Sequence, residues 1–495
     1  MKNRSIYKSI AILSLILVFT TCSKDRLDIT PQDLTESDYF KNELDFHKAI
    51  GGVYAKVGEF YHFHYNNPRH MFYLLPGDDL TTDGDIPFEV FSTLEAGNDY
   101  VSTQFGYAYE LIARANVALE KLYDDEFSSV ITTPNVKDYL IGEALFLRSY
   151  MNILIWNYWG PAPNVTKRIV SQDDINPPSS EGTELLDQAI TDLGEAANLL
   201  PATWADSDKG RVTKNSANGL LGKALVIRGS WTGSNSDYTA AITAFGKISG
   251  ASLIADYADN FSVNAENNDE SLYEYQSSNI GGDNIWLSND VFSSIGTFSA
   301  YYGYFTNHWS FWAQTPYVAT EKFMDTFEIG DPRAAVTFDP ATGFILKYVT
   351  RDALTNGTTS FNNPRILRYA DVLLLWAEAL NETGDQAGAV DKINEVRTRA
   401  RNMDITGVPA DKGSGNQDEV RTWIQEERLM ELGAEEGHRW IDLRRWHQAN
   451  QINLATWDFS SRKADFNISL PKNLYYPIPS SELDKNPEVK QNSGY

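Results

Sequence analysis

The sequence predicts a mostly α-helical fold in which helical hairpins form a scaffold and a loop-rich layer with short strands lies on one side of it. Over several long stretches, apolar residues recur at intervals of three and four, which is the spacing of one helix face. Between these stretches lie two long segments that are rich in Asn, Ser, Gly and Tyr and lack that spacing. The 495 residues exceed the usual size of one compact core, so we expect a large repeat scaffold or two subdomains.

The clearest helical pattern covers residues 365–383, after which Gly384 and Asp385 end one helix and begin another. Two helices joined by so tight a turn form an αα-hairpin. Similar patterns recur in stretches 46–57, 107–122, 136–156, 183–200, 217–231 and 418–445. The pattern resembles tetratricopeptide packing, although the spacing is irregular and the full repeat consensus is absent. We therefore predict a helical scaffold over about 40–59, 101–249 and 363–447.

Two segments, about 60–100 and 250–362, interrupt the helical pattern. Structureless connections of this length are unusual in a compact domain and tend to carry function. Alternating runs such as 343–349 predict short strands within them. We expect these segments to form the second layer and to hold a ligand site, and we expect residues 448–495 to form a tail that docks on the scaffold.

The N-terminal segment has the pattern of a secretory signal. Basic residues precede an apolar run over 10–19, which is too short for a membrane span of about 20 helical residues. Two small residues, Thr20 and Thr21, follow this run, and Cys22, the only cysteine of the chain, comes directly after them. We predict a lipoprotein signal peptide over 1–21, a mature chain over 22–495 and a lipid anchor on Cys22. The alternative is an ordinary secretion signal followed by an unrelated cysteine.

The charge balance argues against two classes of partner. The formal net charge of −25 becomes −28 once the three basic residues of 1–21 are removed. Nucleic-acid binding needs a basic surface that displaces counterions, and attraction to anionic lipid needs the same sign of charge. We therefore predict no nucleic-acid partner and expect any membrane attachment to run through Cys22.

Residues 285–312 form the most informative non-helical segment. Ten of these 28 residues are aromatic, and only Asp290 carries a formal charge. Ring faces stack on the apolar C–H surfaces of sugars, while amides and hydroxyls bond to sugar hydroxyls. The segment therefore predicts a surface for a neutral polar ligand. The alternative is that its rings fill the core of the loop layer.

Potential metal ligands lack the spacing of a recognisable metal site. Four aspartates crowd the stretch 78–85, but an EF-hand that begins at Asp79 would place Val90 where a bidentate acid belongs. A solvated loop, or carboxylates that accept bonds from sugar hydroxyls, fits this stretch better than a calcium site does. The three histidines over 62–70 show no third-ligand spacing. We predict no metal and no cofactor.

Motifs of the main enzyme classes are missing from the sequence. It contains no His-Glu-x-x-His, Gly-x-Ser-x-Gly, Walker or dinucleotide-binding motif, and Gly222-Lys223 falls inside a predicted helix. We therefore predict a binding protein and not an enzyme. A glycosidase needs only two carboxylates that the fold brings together, so a surface glycoside hydrolase stays open as an alternative.

The stretch 426–446 is dense in Arg, Glu and Asp at helical spacing, which predicts structural ion pairs between packed helices. It also contains Glu-Gly-His-Arg-Trp-Ile-Asp-Leu-Arg-Arg-Trp over 436–446. This run resembles a C-terminal motif of the SusD-like (RagB/SusD) outer-membrane nutrient-binding lipoproteins. Three further parts are similar to that family in the expected order, namely 27–31, the helix pair over 375–400 and the tail over 476–495.

The resemblance implies a glycan-binding lipoprotein of the outer membrane that faces the cell exterior. It further implies that this protein captures an oligosaccharide or polysaccharide and delivers it to a SusC-like TonB-dependent transporter. The ligand site is then expected in the loop layer, on aromatic rings and polar partners, and the 436–446 residues are expected to be structural. The residues that we expect to bind glycan are Trp286, Tyr301, Tyr304, Trp309, Trp312, Asp79 and Asn98. A structural partner of the transporter that binds no ligand, or a protein that binds a peptide, remains an alternative.

Overall fold

The computed structural model describes residues 39–60, 63–64, 67–68, 71–82, 86–127, 129–277, 317–348, 362–462 and 468–495. Within these residues the fold is mostly helical with a few short strands, which confirms the predicted class. In chain order the helices and strands are α1 (Glu43–Val57), β1 (Phe63–His64), β2 (Asn67–Pro68), α2 (Met71–Leu74), β3 (Leu80–Thr81), α3 (Pro87–Val90), α4 (Asp99–Tyr123), α5 (Val136–Trp159), α6 (Glu184–Leu199), α7 (Lys214–Thr232), α8 (Asn235–Phe245), β4 (Ser271–Glu274), β5 (Val318–Ala319), α9 (Glu321–Thr326), α10 (Pro332–Thr337), β6 (Arg365–Arg368), α11 (Tyr369–Glu382), α12 (Gln386–Arg401), α13 (Gln417–Leu432), α14 (His438–Gln448) and α15 (Ser480–Leu483). Among the described helices, none has the length and apolar character required to cross a membrane.

The long helices pack mainly against their neighbours in the chain. The stack runs from α1 through α4, α5, α6, α7 and α8 to α11, and α11 then contacts α12 and α13. One apolar core extends along most of this stack into the loop layer, and a second, smaller core lies among α11, α12 and α13. Gly222 of α7 allows a close approach of α8, because a Cβ there would lie 2.2 Å from the Phe245 ring. The Gly222-Lys223 pair therefore serves helix packing.

Polar residues at the helix starts explain several boundaries. The Asp385 side chain accepts a hydrogen bond from the Gly388 amide at 2.9 Å and caps α12, as the break at Gly384 and Asp385 predicts. Asn416 and Glu419 form a reciprocal capping box at the start of α13. Such contacts satisfy amide groups that have no partner within the first turn of a helix.

Two details of the helical prediction are wrong. Residues 365–368 are strand β6, which pairs with β4 instead of opening the α11 helix. The stretch 418–445 is two helices, because the chain turns between α13 and α14 with positive φ angles of 62° at Ala434 and 45° at Glu436. Helix α8 lies within the predicted scaffold range 101–249, although it is not predicted as a separate helical stretch.

The loop layer contains short antiparallel strand pairs. Within the described residues, β1 pairs with β2, β3 with β5, and β4 with β6. Two of these pairs join distant parts of the chain, because β3 lies in the first loop segment and β6 directly precedes α11. Short strands are therefore present in both loop segments, as the sequence predicts, and they connect the segments to each other and to the scaffold.

The C-terminal tail docks on the scaffold. Tyr476 and Ile478 are buried, and the Tyr476 amide donates to the Tyr158 carbonyl at 2.6 Å. Asn492 donates to the Trp159 carbonyl at 2.8 Å, so the tail also covers the end of α5. These contacts place the described tail residues against the scaffold.

A row of three buried carboxylates, Glu427, Glu431 and Glu435, begins on α13 and continues past its end; we call it the acidic row. Residues four apart on a helix share a face. Five buried cations from other segments surround the acidic row. They are Arg333 of α10, Lys347, Arg368 of β6, and Arg397 and Arg399 of α12.

Glu431 lies at the centre of the acidic row. Arg333 and Arg368 each donate to its carboxylate at 3.1 Å, and Arg399 donates to it as well. Arg399 also reaches Glu270 at 3.0 Å. Burial by itself raises the pKa of Glu431, but Arg399, Arg368 and Arg333 hold it well below its ordinary value. This carboxylate therefore joins α10, β6 and α12 to α13.

The acidic row generates a stability prediction. Replacing Glu431 with alanine leaves buried guanidinium groups without their shared acceptor, which costs about 3–5 kcal/mol of unfolding free energy. Glu426→Ala on the same helix is the matched control, because this side chain is 47% exposed and pairs with Lys412 only at 3.9 Å. We expect a loss of at most about 1 kcal/mol there. Similar losses for the two variants in denaturant titrations would contradict the role of the acidic row.

Candidate functional site

The predicted ligand segment, 285–312, lies between two described stems that end at residue 277 and begin again at residue 317. Its five predicted rings lie outside the described residues, and so does Cys22. The rings in question are Trp286, Tyr301, Tyr304, Trp309 and Trp312. Their roles remain predictions. The structure describes the two stems that precede and follow this segment.

The departing stem is β4 and the residues that follow it. The Tyr275 amide donates to the Pro364 carbonyl at 3.0 Å, which extends the pairing of β4 with β6. The Ser277 amide donates to the Asn363 side chain at 2.7 Å. The Tyr275 side chain is buried against Gly58, where a Cβ would lie 2.6 Å from the tyrosine oxygen. The chain therefore leaves the scaffold from a fixed, hydrogen-bonded edge.

The returning stem is β5 and Thr320. Strand β5 pairs with β3 in a register that sets Ala319 opposite Leu80. The Thr320 amide donates to the Asp79 carbonyl at 2.9 Å, and its hydroxyl donates to the Asp78 carbonyl at 2.7 Å. The backbone of the first loop segment thus holds the point where the ligand segment rejoins the described fold.

Asp78 links this returning stem to the C-terminal part of the chain. Its carboxylate accepts bonds from Arg439 at 3.0 Å and from the Trp457 indole at 2.8 Å, and it pairs with Lys322 at 2.8 Å. Burial by itself raises the pKa of Asp78, but Arg439 and Lys322 hold it well below its ordinary value. Arg439 therefore has a structural role, as the sequence predicts for the 436–446 stretch.

Asp79 faces the turn between α13 and α14. Its carboxylate is 2% exposed and accepts a hydrogen bond from the Ala434 amide at 2.9 Å. Burial, together with the neighbouring Asp78 charge, raises the pKa of Asp79 from 3.8 to about 6, although the Ala434 amide opposes the shift. The polar contact of Asp79 in this structure is thus with the scaffold, and a contact with glycan stays a prediction.

Asn98 caps the start of α4. Its side-chain oxygen accepts hydrogen bonds from the Tyr100 amide at 3.0 Å and the Val101 amide at 3.1 Å. Asparagine is a preferred residue at the capping position directly before the first turn of a helix. The sequence therefore carries a signal for the capping role, and the prediction of a ligand contact did not use it. The structure does not join Asn98 to Asp79 by any described hydrogen bond, and its binding role also stays a prediction.

The described residues offer no grouping of three or more His, Cys, Asp or Glu that could hold a metal ion. Asp78 and Asp79, two members of the acidic stretch 78–85, have their partners within the protein. The other two aspartates of that stretch and the histidines over 62–70 lie outside the described side chains.

Comparison with known families matches two parts of the chain. A SusD family model covers residues 251–495, and a model described as starch-binding associating with outer membrane covers residues 78–225. A relative is the SusD-like protein P38 of Formosa agariphila, which is 25% identical over 99% of each chain.

Solved structures share the fold. A SusD superfamily protein from Bacteroides vulgatus superposes with a TM-score of 0.74 at 25% identity, and the match covers 92% of this chain and 100% of that one. A laminarin-binding SusD-like protein superposes with a TM-score of 0.72 at 22% identity, over 92% of this chain and 100% of that one.

The raised pKa of Asp79 generates a prediction about pH. A carboxyl group that is easier to protonate in the folded state adds stability at low pH, and this contribution is lost as pH rises through about 6. Asp79→Asn keeps the group uncharged, so its stability relative to the wild type should fall by about 1 kcal/mol from pH 7.5 to pH 5.

Asp442→Asn is the control for this measurement. Burial by itself raises the pKa of Asp442, but Arg428 and Arg445 hold it below its ordinary value of 3.8, so its contribution is present above that value and is lost only in stronger acid. The Asp442 variant should therefore be destabilised by a similar amount at pH 7.5 and pH 5. Urea unfolding at both pH values gives these differences, and a pH-independent difference for Asp79→Asn would contradict the raised pKa.

Proposed function

This chain belongs to the SusD-like family, and from that membership we propose that it captures a carbohydrate ligand and delivers it to a SusC-like TonB-dependent transporter in the outer membrane. The observation that carries this proposal is the family match over most of the chain, combined with the uncharged aromatic segment 285–312. A protein with the same fold is named for laminarin binding, which supports glycan as the ligand class.

The geometry of the stems supports the same proposal. The aromatic segment departs from a strand that is bonded to β6 and returns to one that is bonded to β3. A binding surface loses less conformational entropy when its ends are already fixed. Hydrogen bonds hold both stems before any ligand arrives, which supports a binding role for the segment between them.

The composition of the segment favours a neutral glycan. Two or three rings that stack at roughly 1 kcal/mol each, with a few hydrogen bonds, correspond to a dissociation constant between about 1 mM and 1 μM. Because an uncharged ligand gains little from Coulomb attraction, binding should change little with salt. An affinity in this range also permits release to a transporter.

The membrane part of the proposal rests on Cys22. The description of the matching model names an association with the outer membrane, and a cysteine directly after an apolar signal is the attachment point of lipoproteins. A single acyl chain binds a bilayer only marginally, so two chains on Cys22 supply stable anchoring. The protein surface itself is acidic and adds no attraction to anionic lipid.

The aromatic segment is tested with Trp286→Ala, Trp309→Ala and Trp312→Ala, made separately. We expect at least one variant to lose glycan binding several-fold with a near-native melting temperature, because one stacking surface is removed without a change in the helical core. The measurements are calorimetric titration and thermal melting, with a glycan selected from an array of laminarin, starch, xylan, mannan and pectin.

Trp376→Ala provides the control for the same titration. Trp376 is partly buried on α11, with the Lys392 amine 4.6 Å from its ring, and lies outside the loop layer.

Normal binding by all three segment variants, or binding that falls only in step with stability, would assign those rings to the core. Release of new reducing ends from the glycan would instead favour a hydrolase, and failure of the wild type to bind any array glycan would favour a protein that serves the transporter without a ligand.

The anchor is tested with Cys22→Ala expressed without the transporter. We expect the wild type to fractionate with membranes and the variant to be released, because the acyl chains supply the attachment. A serine variant, Cys22→Ser, controls for the size of the side chain and should behave like the alanine variant. Complete membrane association of both variants would contradict the lipid anchor.

A further inference from the structure

A cleft of about 500 Å³ lies on the described part of the surface, between the loop 201–213 and the turn 267–269. The loop joins α6 to α7, and the turn precedes β4. The volume falls within the range of about 300–1,000 Å³ that is typical of ligand pockets. Asp79 and Asn98, the two predicted glycan-binding residues that the structure describes, do not line this cleft.

The first wall of the cleft is a loop that the scaffold holds rigidly. Arg211 forms a bidentate pair with the buried Glu143, at 2.8 and 2.5 Å, and a further bond to Asp208 at 2.9 Å. The Lys214 amide closes the base of the loop by donating to the Pro201 carbonyl at 2.9 Å. A loop with these contacts is ordered before any ligand arrives.

Trp204 is the ring of this wall. Its indole nitrogen donates to the Val212 carbonyl at 2.8 Å, and the Arg211 guanidinium lies 4.0 Å from the ring centroid. Tyr139 packs edge-on against it, with 5.5 Å between centroids. These three contacts fix the orientation of the indole, which remains only half-buried and lines the cleft. A fixed and partly exposed indole is the kind of surface on which sugar rings stack.

The second wall presents amides. The Asn267 and Gln276 side chains exchange two hydrogen bonds of 2.9 Å each, so both amide planes are fixed. Asn268 uses its oxygen to accept the Glu270 amide at 2.9 Å. Gln276 is satisfied within the protein, since it also donates to the Glu274 carbonyl and accepts from Asn363. An amide has two donors and two acceptor sites, so Asn267 retains one of each and Asn268 retains one donor for hydroxyl groups of a ligand.

The exposed charges of the cleft are balanced. Asp206 and Asp269 lie on its lining together with Lys209 and Lys214, and all four are exposed. Equal numbers of acids and bases create no strong field of either sign, so the lining favours neither an anionic nor a cationic ligand. An uncharged ligand with many hydroxyl groups fits the indole, the amides and this balance.

The cleft continues toward the departing stem. A second hollow, of about 380 Å³, shares Gly210, Arg211 and Tyr273 with the first and extends to Gln276. Gly210 lines both hollows. Its φ is +101°, and a Cβ at this position would lie only 2.5 Å from the Gln276 side chain, which explains why the position is a glycine. The lining thus ends next to residue 277, the last described residue of the departing stem.

We propose that this cleft is a second carbohydrate-binding site, which holds a more distant stretch of the same glycan chain that the aromatic segment binds. The proposal rests on the proposed function and adds to it a preference for long chains over short ones. Two linked sites raise the affinity for a ligand that spans both. Once the ligand is bound at one site, its contact with the second site forms within the same complex and at a high effective concentration. A short oligosaccharide that fills only one site gains nothing from the other.

The test compares polymer and hexasaccharide on the full mature chain. The probes are laminarin, starch, xylan, mannan and pectin with their hexasaccharides, and the pair that the wild type binds is used throughout. Trp204→Ala should weaken polymer binding about five-fold and leave hexasaccharide binding unchanged, whereas Trp286→Ala should weaken both. Trp423→Ala, a half-buried indole with the Lys412 amine 5.8 Å from its ring, is the matched control and should change neither.

A second variant distinguishes a loss of binding from a loss of folding. Asp269→Ala removes an exposed carboxylate of the second wall, and we expect it to reduce polymer binding two- to three-fold with wild-type melting. Hydrogen exchange with bound polymer should also slow in peptides that cover 201–213 and 267–276.

Unchanged polymer affinity in both Trp204→Ala and Asp269→Ala, or equal effects on polymer and hexasaccharide, would overturn the second site while the proposed function stands. If the wild type binds none of the probes, the proposed function fails first and the second site fails with it.

Discussion

The acidic row of α13 is the interaction on which the rest of the structure depends. Glu427, Glu431 and Glu435 are buried, and a buried carboxylate is tolerated only where cations and hydrogen-bond donors surround it. Its partners come from α10, β6, α12 and the segment around Lys347, which lie far apart in the chain. All of these segments must meet at α13 for the charges to be satisfied. The acidic row therefore specifies how the loop layer sits on the helical scaffold.

A second, smaller group of charges extends this control to the candidate site. Arg439, in the run that resembles the family motif, pairs with Asp78, and the backbone of Asp78 and Asp79 holds Thr320 of the returning stem. The motif is thus far from the predicted rings in the sequence. Through Asp78 it is nevertheless linked to the returning stem, which follows those rings in the chain. The motif thereby holds the returning stem of the candidate segment in place.

The two proposed carbohydrate sites differ in how the fold supports them. The aromatic segment lies between two stems that are bonded to β6 and to β3. Trp204 instead lies on a short loop that Glu143 and Val212 hold in place. Two linked sites suit a polymer, because a ligand that spans both binds more tightly than one that fills either alone.

The sequence by itself determined the helical class, the hairpin of α11 and α12, the structural nature of the 426–446 stretch and the family. Helix periodicity, the Gly384-Asp385 break and the density of opposite charges are local signals, and local signals survive in a linear sequence. The partners of those charges are not local, because Glu431 meets Arg333 and Arg368 only after the chain has folded. The same holds for strand β6, for the burial of Asp79 and for the cleft at Trp204. Each depends on contacts between segments distant in the chain, which only the tertiary structure brings together.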